Sequence, residues 1–422
     1  MRIAVLVATL LGACVLGGCG GEFFSGSPGA DAGDAGAEAS TDGATGDGAT
    51  GDETAQLDAP SRDDAPGDAP CTGAQSDPQN CGRCGHDCLG GACMGGACQP
   101  VALSSADAYP TSLVAYDRSG GRVEAYWAQE GAVGVGALER CVFGPGSAAC
   151  MPSAFAASTR PRGLIGAGLK LRWFDLQGAQ PAILAADPAC ASPCTPVVET
   201  PTATPILGGS MAAGGSDVFW TDDGPPGAGH LYGSPDTQGN TPQTLVSNTP
   251  SYPTAIALEP DAIDFVVGGD LVQCPLSLGP CTPTTLVSLP GTALPNAPLA
   301  LAVHGGTLYW TSPSDNAIGS CTPSDCQATM KVVARGLGVP WGLAVDDSGV
   351  YWTERGDPNA TCQGVGGVAM CPLAGCPASG PTYLATGQSC PTAIAVTSSA
   401  VVWANSGSVA TPNGAIKALA WP

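Results

Sequence analysis

Apolar and polar residues alternate along the chain in a unit that recurs seven times after residue 99. Each unit opens with a short apolar run, continues through a turn containing Asp or Gly, and ends in an alternating run that finishes near an aromatic residue. The clearest copies are 253–267, 299–312, 341–354 and 391–405, and weaker copies are 110–129, 161–175 and 206–222. The aromatic position holds, in order, Trp127, Trp173, Trp220, Phe265, Trp310, Trp352 and Trp403. Such short alternating runs between turn residues indicate β-strands.

The spacing of this aromatic marker predicts the architecture. Successive markers lie 46, 47, 45, 45, 42 and 51 residues apart, and a β-rich repeat of about 40–50 residues is typical of propeller blades. Each unit can supply four strands, a to d, with the marker indole near the end of strand b and packed between neighbouring blades. We therefore predict an all-β chain in which residues 99–422 form a seven-bladed β-propeller, with six blades as the alternative.

The two ends of the repeat region predict how the ring closes. The last unit ends after its strand c, at 414–419, and has no strand d of its own. The segment 99–104 precedes the first strand a and matches the strand d segment 243–247. We expect this N-terminal strand to complete the last blade, which would remove two exposed sheet edges.

Cysteines fall in the same register. The chain has 20 Cys, and five pairs with three to eight residues between partners fall at the predicted turn between strands c and d: Cys141 with Cys150, Cys190 with Cys194, Cys274 with Cys281, Cys321 with Cys326, and Cys371 with Cys376. Hairpin ends bring Cβ atoms within disulfide range. The remaining Cys362 and Cys390 lie in loops that share one face of a propeller, so this sixth pair is also expected.

Residues 71–98 form a second Cys-rich segment, with six Cys in 28 residues. So short a segment cannot build a hydrophobic core, and three disulfides of unknown connectivity are the favoured interpretation. Zinc bound by Cys81, Cys84, Cys88 and His86 is the alternative. The string DPQNCGRCGHDCLGGACMGGAC resembles small Cys-rich modules of myxobacterial surface lipoproteins.

The N-terminus predicts export. Met1 and Arg2 precede an apolar run that is too short to span a bilayer comfortably, as in a signal peptide. The run ends in Leu16-Gly17-Gly18-Cys19, which resembles the bacterial lipobox and implies lipidation of Cys19 after cleavage. By the same resemblance, Gly20 after the Cys favours the outer membrane or cell surface over the inner membrane. Export to an oxidising compartment also favours disulfides over metal.

Composition and charge define the linker and exclude some partners. Residues 20–70 are rich in Gly, Ala, Asp, Thr and Ser and are predicted to be a disordered acidic tether. The net charge of the whole chain is -22, which disfavours nucleic acid and leaves the lipid anchor as the only expected contact with a membrane.

The repeat resembles the YWTD-type β-propellers known in low-density-lipoprotein receptors and bacterial surface proteins. The resemblance covers 99–422 and is carried by Tyr309-Trp310-Thr311 and Tyr351-Trp352-Thr353, whereas only 220–222 retains the acidic end, as Trp-Thr-Asp. It implies the fold and no particular ligand.

The sequence carries no catalytic signature of the common nucleophilic or zinc-dependent types. The position two residues after each marker is the best candidate for a site, because strand b there reaches the face shared with the b–c loops. It holds Gln129, Asp175, Asp222, Val267, Ser312, Glu354 and Asn405. Asp175, Asp222, Glu354 and Asn405 are the candidate binding residues, although such side chains commonly accept hydrogen bonds from turn amides.

These observations favour a lipid-anchored surface binding or scaffold protein, expected to be a monomer without cofactor or metal. Its ligand would be a protein or a carbohydrate bound at a propeller face. The alternative is a hydrolase or lyase that acts on glycans or lactone-like substrates through acidic residues at the channel mouth. An enzyme would need two such acids to converge in a closed pocket.

Overall fold

A computed structural model describes most of the chain after residue 72. The described ranges are 73–131, 136–147, 150–168, 170–176, 181–201, 209–222, 229–237, 239–249, 253–289, 300–356, 364–407 and 413–421. The predicted signal peptide, Cys19 and the acidic tether lie outside these residues. Among the described residues, no helix is both long enough and apolar enough to cross a bilayer.

Seven four-stranded antiparallel sheets form the seven predicted blades. Before them in the chain come a short hairpin, β1 (Cys93–Met94) and β2 (Ala97–Cys98), and the strand β3 (Val101–Ala102). Blade 1 contains β4 (Pro110–Arg118), β5 (Arg122–Gln129), β6 (Gly136–Phe143) and β7 (Ser153–Ser158). Blade 2 contains β8 (Pro161–Ala167), β9 (Lys170–Asp175), β10 (Ala182–Ala186) and β11 (Val197–Pro201). Blade 3 contains β12 (Met211–Gly214), β13 (Asp217–Asp222), β14 (Gly229–Pro235) and β15 (Gln243–Thr249).

The remaining blades repeat this order of strands a to d. Blade 4 contains β16 (Pro253–Leu258), β17 (Ala262–Val267), β18 (Asp270–Pro275) and β19 (Thr284–Ser288). Blade 5 contains β20 (Leu301–His304), β21 (Thr307–Ser312), β22 (Ala317–Cys321) and β23 (Lys331–Arg335). Blade 6 contains β24 (Pro340–Asp346), β25 (Gly349–Glu354), β26 (Gly366–Cys371) and β27 (Thr382–Gln388). Blade 7 contains β28 (Pro391–Val396), β29 (Ala400–Asn405) and β30 (Ala415–Ala420), and β3 completes it.

The aromatic markers occupy equivalent buried places, as predicted. Each lies in strand b, and six of the seven pair directly with an apolar residue of strand a in their own blade. The seventh, Trp173, falls where strand a of blade 2 is irregular. Markers share buried clusters with residues of the preceding blade, as Trp403 does with Tyr351 and Phe265 does with Phe219. Burying these rings between blades supplies much of the apolar area that holds the ring together.

In three blades the residue after the aromatic marker is Thr, and its hydroxyl makes a structural hydrogen bond. In blade 6 the register between strands a and b shifts between Pro340 and Leu343, and in blades 3 and 5 Ser210 and Ala300 come just before strand a, so the amides at these places need another acceptor. The hydroxyl of Thr353 accepts the amide of Gly342 at 2.9 Å, and Thr311 and Thr221 do the same for Ala300 and Ser210. The recurrent Trp-Thr pair therefore serves the fold of each blade.

The predicted closure is present. In blade 7, Val101 pairs with Ala418 and Ala102 with Lys417, and the amide of Leu103 donates to the carbonyl of Ile416 at 2.8 Å. The closing strand is thus the fourth strand of the last blade, although it spans only two residues.

The five predicted c–d disulfides are formed, with Cα–Cα distances of 4.8 to 6.0 Å. The connection in blade 5 is more ordered than a simple turn, since it contains a 3-10 turn (Pro323–Asp325) and α1 (Cys326–Thr329). Cys390 is also disulfide-bonded, and its predicted partner Cys362 lies outside the described residues.

In the Cys-rich module, Cys81 bonds to Cys93 and Cys88 to Cys98, and Cys84 is disulfide-bonded as well. The sulfurs of Cys81, Cys88 and Cys98 lie close together, but they are committed to these bonds. Disulfides therefore occupy the Cys that the zinc alternative required.

Candidate functional site

The seven candidate positions form the last residue of strand b in every blade, as the sequence predicts. Five of them pair with the first residue of strand a, which is Pro110, Pro161, Pro253, Pro340 or Pro391. We call them the ring residues and the propeller face on which they lie the ring face. The same face carries the b–c loops and the linkers that join strand d of one blade to strand a of the next.

Asp175 holds the linker between blades 1 and 2. Its carboxylate accepts hydrogen bonds from the hydroxyl of Ser158 at 2.9 Å and from the amides of Thr159 and Arg160 at 3.1 and 3.2 Å. The hydroxyl of Thr159 also donates to it. The marker Trp173 donates its indole N–H to the same Ser158 at 3.2 Å. Asp175 therefore serves as an acceptor for the incoming chain.

Glu354 has the same role in blade 6. Its Oε1 accepts the indole N–H of Trp352 at 2.9 Å, and its Oε2 accepts the amide of Gly338, in the linker from blade 5, also at 2.9 Å. The hydroxyl of Tyr383 lies 3.3 and 3.2 Å from the two oxygens. Burial, together with the negative charge of Glu354, raises the pKa of Tyr383 to about 12, so the phenol stays protonated and donates.

Asn405 continues the pattern in blade 7. Its side-chain amide donates to Oε1 of Gln388 at 3.1 Å, and the indole of Trp403 donates to that oxygen at 3.2 Å. Gln388 is the last residue of β27, as Ser158 is of β7. The partners at the end of the preceding strand d were missed by sequence reasoning, because no fixed residue type occupies that position.

Asp222 lies beside an aromatic stack in blade 3. Its Oδ2 is 3.7 Å from Nδ1 of His230, and the rings of His230 and Tyr232 stack with centroids 5.2 Å apart. Tyr232 in turn stacks on the marker Trp220 at 5.6 Å. The structure therefore gives Asp222 a histidine neighbour that the sequence did not predict.

The four candidate binding residues do not converge on one another in these contacts. Asp175, Asp222, Glu354 and Asn405 each contact their own blade, the linker that enters it or the end of strand d in the preceding blade. Their role in ligand binding stays a prediction, and the hydrogen bonds show that at least three of them support the fold.

Blade 6 carries a surface on the ring face that sequence reasoning missed. The guanidinium carbon of Arg355 lies 4.4 Å from the ring centroid of Trp341, and burial lowers the pKa of Arg355. Beside Glu354, Tyr383 is 48 % exposed and Val365 is 51 % exposed. We call Trp341, Arg355, Val365 and Tyr383 the blade 6 patch. Trp341 is one of only two Trp outside the marker position. This departure from the repeat was the feature of the sequence that could have pointed to the surface.

A cavity of about 140 Å³ lies on the opposite face, between blades 1 and 2. Its lining includes Tyr116, Arg118 and Asp187. Arg118 is paired with the buried Glu124, which also pairs with Arg140. A Cβ at Gly166 would lie 1.5 Å from the Tyr116 hydroxyl, so only glycine allows this approach. The guanidinium of Arg118 already has a carboxylate partner in Glu124. We therefore assign the cavity to the packing between the two blades.

Comparisons with known proteins support the fold and no activity. No protein-family model matches the chain, and no curated protein matches its sequence. Among solved structures, the WD40 β-propeller domain of Doa1 is 8% identical, with a TM-score of 0.50 over 76% of this chain and 96% of that one. A nidogen/laminin complex is 14% identical, with a TM-score of 0.44 over 65% and 98%.

A puromycin-hydrolysing peptidase from Mycobacterium tuberculosis is 13% identical, with a TM-score of 0.47 over 69% of this chain and 49% of that one. At such identities the similarity concerns the fold alone, because propellers host many unrelated functions.

Proposed function

We propose that this chain is an extracytoplasmic, lipid-anchored binding or scaffold protein that holds a protein or carbohydrate ligand at the ring face. The resemblance of 16–19 to a lipobox and the many Cys of the chain support the location, since disulfides persist in oxidising compartments. The contacts of the ring face support binding over catalysis.

The observation that carries the proposal is the contrast within blade 6. The carboxylate of Glu354 is buried and already accepts three donors of the fold. Tyr383, which donates to this carboxylate, is 48 % exposed, and Val365, which lies against Gly356, is 51 % exposed. Arg355, the residue after Glu354, stacks on Trp341. Tyr, Trp and Arg are the side chains that most often dominate the energetics of binding surfaces.

The enzyme alternative has less support. Acid–base chemistry on a glycan requires two carboxyl groups that flank one bond. Asp175 and Glu354 instead lie in blades 2 and 6 and hold separate linkers. No observation among the described residues favours a second function.

The test compares two valines of equal exposure. Val365 lies in the blade 6 patch and Val332 in the outer strand of blade 5, and each is 51 % exposed. The full-length protein serves as bait against surface extracts and on a glycan array. Val365→Ser is expected to weaken capture about 5- to 10-fold, as loss of a contact at a binding surface does, and Val332→Ser to leave it unchanged. Equal capture by both variants would exclude this face.

The anchor has its own test. Cys19→Ala removes the only residue that the lipobox can lipidate and is expected to release the protein from membranes into the soluble fraction. Membrane association that survives this substitution would refute lipidation at Cys19.

A further inference from the structure

The Cys-rich module contacts the propeller on both sides of the ring closure. Asp87 makes the first contact. Its Oδ1 accepts the amide of Leu89 at 2.7 Å, and its Oδ2 accepts the amide of Gly146 in the c–d turn of blade 1 at 3.0 Å. One carboxylate therefore fixes a turn of the module and joins it to blade 1.

Leu89 adds apolar packing to the contact between the module and blade 1. It is only 5 % exposed and belongs to the buried cluster that includes Leu103, just after the closing strand, and Phe143 of blade 1. Its φ of 54° is unusual for a non-glycine residue and is held by the bond to Asp87. Burial of a leucine side chain contributes about 1.5–3 kcal/mol.

His86 and Trp421 make the contact with blade 7. The imidazole lies between two carbonyl oxygens, that of Cys81 in the module and that of Trp421 after β30. The Trp421 indole donates to the carbonyl of Thr397 at 2.7 Å, in the a–b turn of blade 7. Trp421 also packs edge to face on Tyr351 of blade 6, with ring centroids 5.2 Å apart.

The closing strand lies between these two contacts and is short. β3 pairs with β30 through Val101 and Ala102, and the segment after it adds bonds to the last blade, from the amide of Leu103 to Ile416 at 2.8 Å and between the backbones of Asp107 and Gly414 at 3.0 and 3.1 Å. The module connects to it directly, since the amide of Gln99 donates to the carbonyl of Ala92 at 2.7 Å. The disulfides Cys81–Cys93 and Cys88–Cys98 staple the segment that carries His86, Asp87 and Leu89.

We propose that the Cys-rich module is a latch that docks across blades 1 and 7 and keeps the closing strand in the ring when the upstream chain is pulled. Tension that enters from the tether is carried by the stapled module and its contacts to both blades before it reaches β3. The latch occupies the face of the a–b and c–d turns, so the ring face lies on the opposite side. The source of the tension rests on the proposed anchor, but the docking does not.

Hydrogen exchange of the full-length protein, followed by mass spectrometry of peptides, tests the latch. Asp87→Ala and Leu89→Ser are expected to accelerate exchange about 10- to 100-fold in peptides that cover 99–106 and 415–420, with blades 3 to 5 unchanged. The control is Met94→Ser, because Met94 belongs to the same module and is 66 % exposed. It is expected to leave all peptides unchanged.

Unchanged exchange at 99–106, or equal acceleration in every blade, would overturn the latch. Should Leu89→Ser fail to form the two module disulfides, Asp87→Ala decides alone by the same criterion. Ligand capture by the blade 6 patch is measured separately, so failure of the latch and failure of the proposed function give different results.

Discussion

Arg172 and Asp264 occupy the same place in the repeat, one residue before the aromatic marker of blades 2 and 4, and both are almost fully buried. Arg172 is 2 % exposed and binds two carboxylates, with Oε2 of Glu199 2.8 Å from its Nε and Asp236 as the second partner. Asp264 is 0 % exposed and accepts one hydrogen bond, from Gln273 at 2.9 Å, while its second oxygen accepts none among the described residues.

The difference between the two sites lies in what the neighbouring blade supplies. Asp236 comes from blade 3, and Lys170 reaches both Glu199 and Asp236 at 2.8 and 2.7 Å. This network neutralises a buried charge across a blade interface. At Asp264 the nearby charges are Glu259 and Asp261, which have the same sign. A blade interface therefore accommodates a buried ionisable group in two ways. Opposite charges pair with it, as at Arg172, or burial raises its pKa so that it stays neutral at low pH, as at Asp264.

Breaking the paired site is expected to have the largest effect. Arg172→Ala leaves Glu199 buried with reduced compensation, and loss of one partner of a buried pair costs about 3–5 kcal/mol. Urea denaturation should show this loss in the free energy of unfolding. Arg122→Ala, at an exposed position of β5, is the control and should change it by less than about 0.5 kcal/mol. Equal losses in the two variants would contradict the comparison.

The unpaired site predicts a pH dependence. Burial raises the pKa of Asp264 from 3.8 to about 7. Between these values the unfolded chain has released the proton that the folded chain retains, so the contribution of Asp264 to stability is greatest below pH about 4 and falls until pH about 7. The contribution is roughly 2–4 kcal/mol. Asp264→Asn should remove this slope from denaturation curves measured between pH 4 and 8. A slope that persists in the variant would assign it to another group.

Removing Gln273, the donor to Asp264 among the described residues, should sharpen the same contrast. Gln273→Met keeps the size of the side chain and deletes the hydrogen bond. At pH 8, where the carboxylate is charged, the expected loss of stability is about 1–2 kcal/mol, and at pH 5 it should be smaller. An equal loss at both pH values would mean that Gln273 acts through packing.

The smallest effect is expected at the rim of the paired network. Lys170 is 39 % exposed, so solvent screens its ion pairs and Lys170→Ala should cost under about 1 kcal/mol. Raising the salt concentration should reduce this cost, whereas the cost of Arg172→Ala should respond less. A cost for Lys170→Ala as large as that for Arg172→Ala would remove the distinction between buried and exposed partners.

The sequence predicts the ring well because each signal is local. Trp310 and Trp352 lie in units that bury the same positions, and a hairpin pair such as Cys274 and Cys281 is close in sequence. Even the closing strand could be matched, because β3 resembles the strand d that the last unit lacks.

Contacts between distant segments could not be predicted in this way. Asp236 lies 64 positions after Arg172, and nothing in either segment identifies the other. The docking of Leu89 depends on the path of the module, and six Cys leave its connectivity open. The candidate site shows the same division, since the position of Glu354 was predictable, but its donors at Gly338 and Tyr383 come from two other strands or linkers.

The closure by β3 also constrains biosynthesis. Because β3 precedes the blades in the chain and β30 is the last of the described strands, the ring stays open until the whole repeat region has been made and exported. A product that stops before residue 415 would leave the free edges of β3 and β29 unpaired, and such edges invite aggregation and proteolysis. A closed ring therefore forms only when the chain includes both β3 and β30.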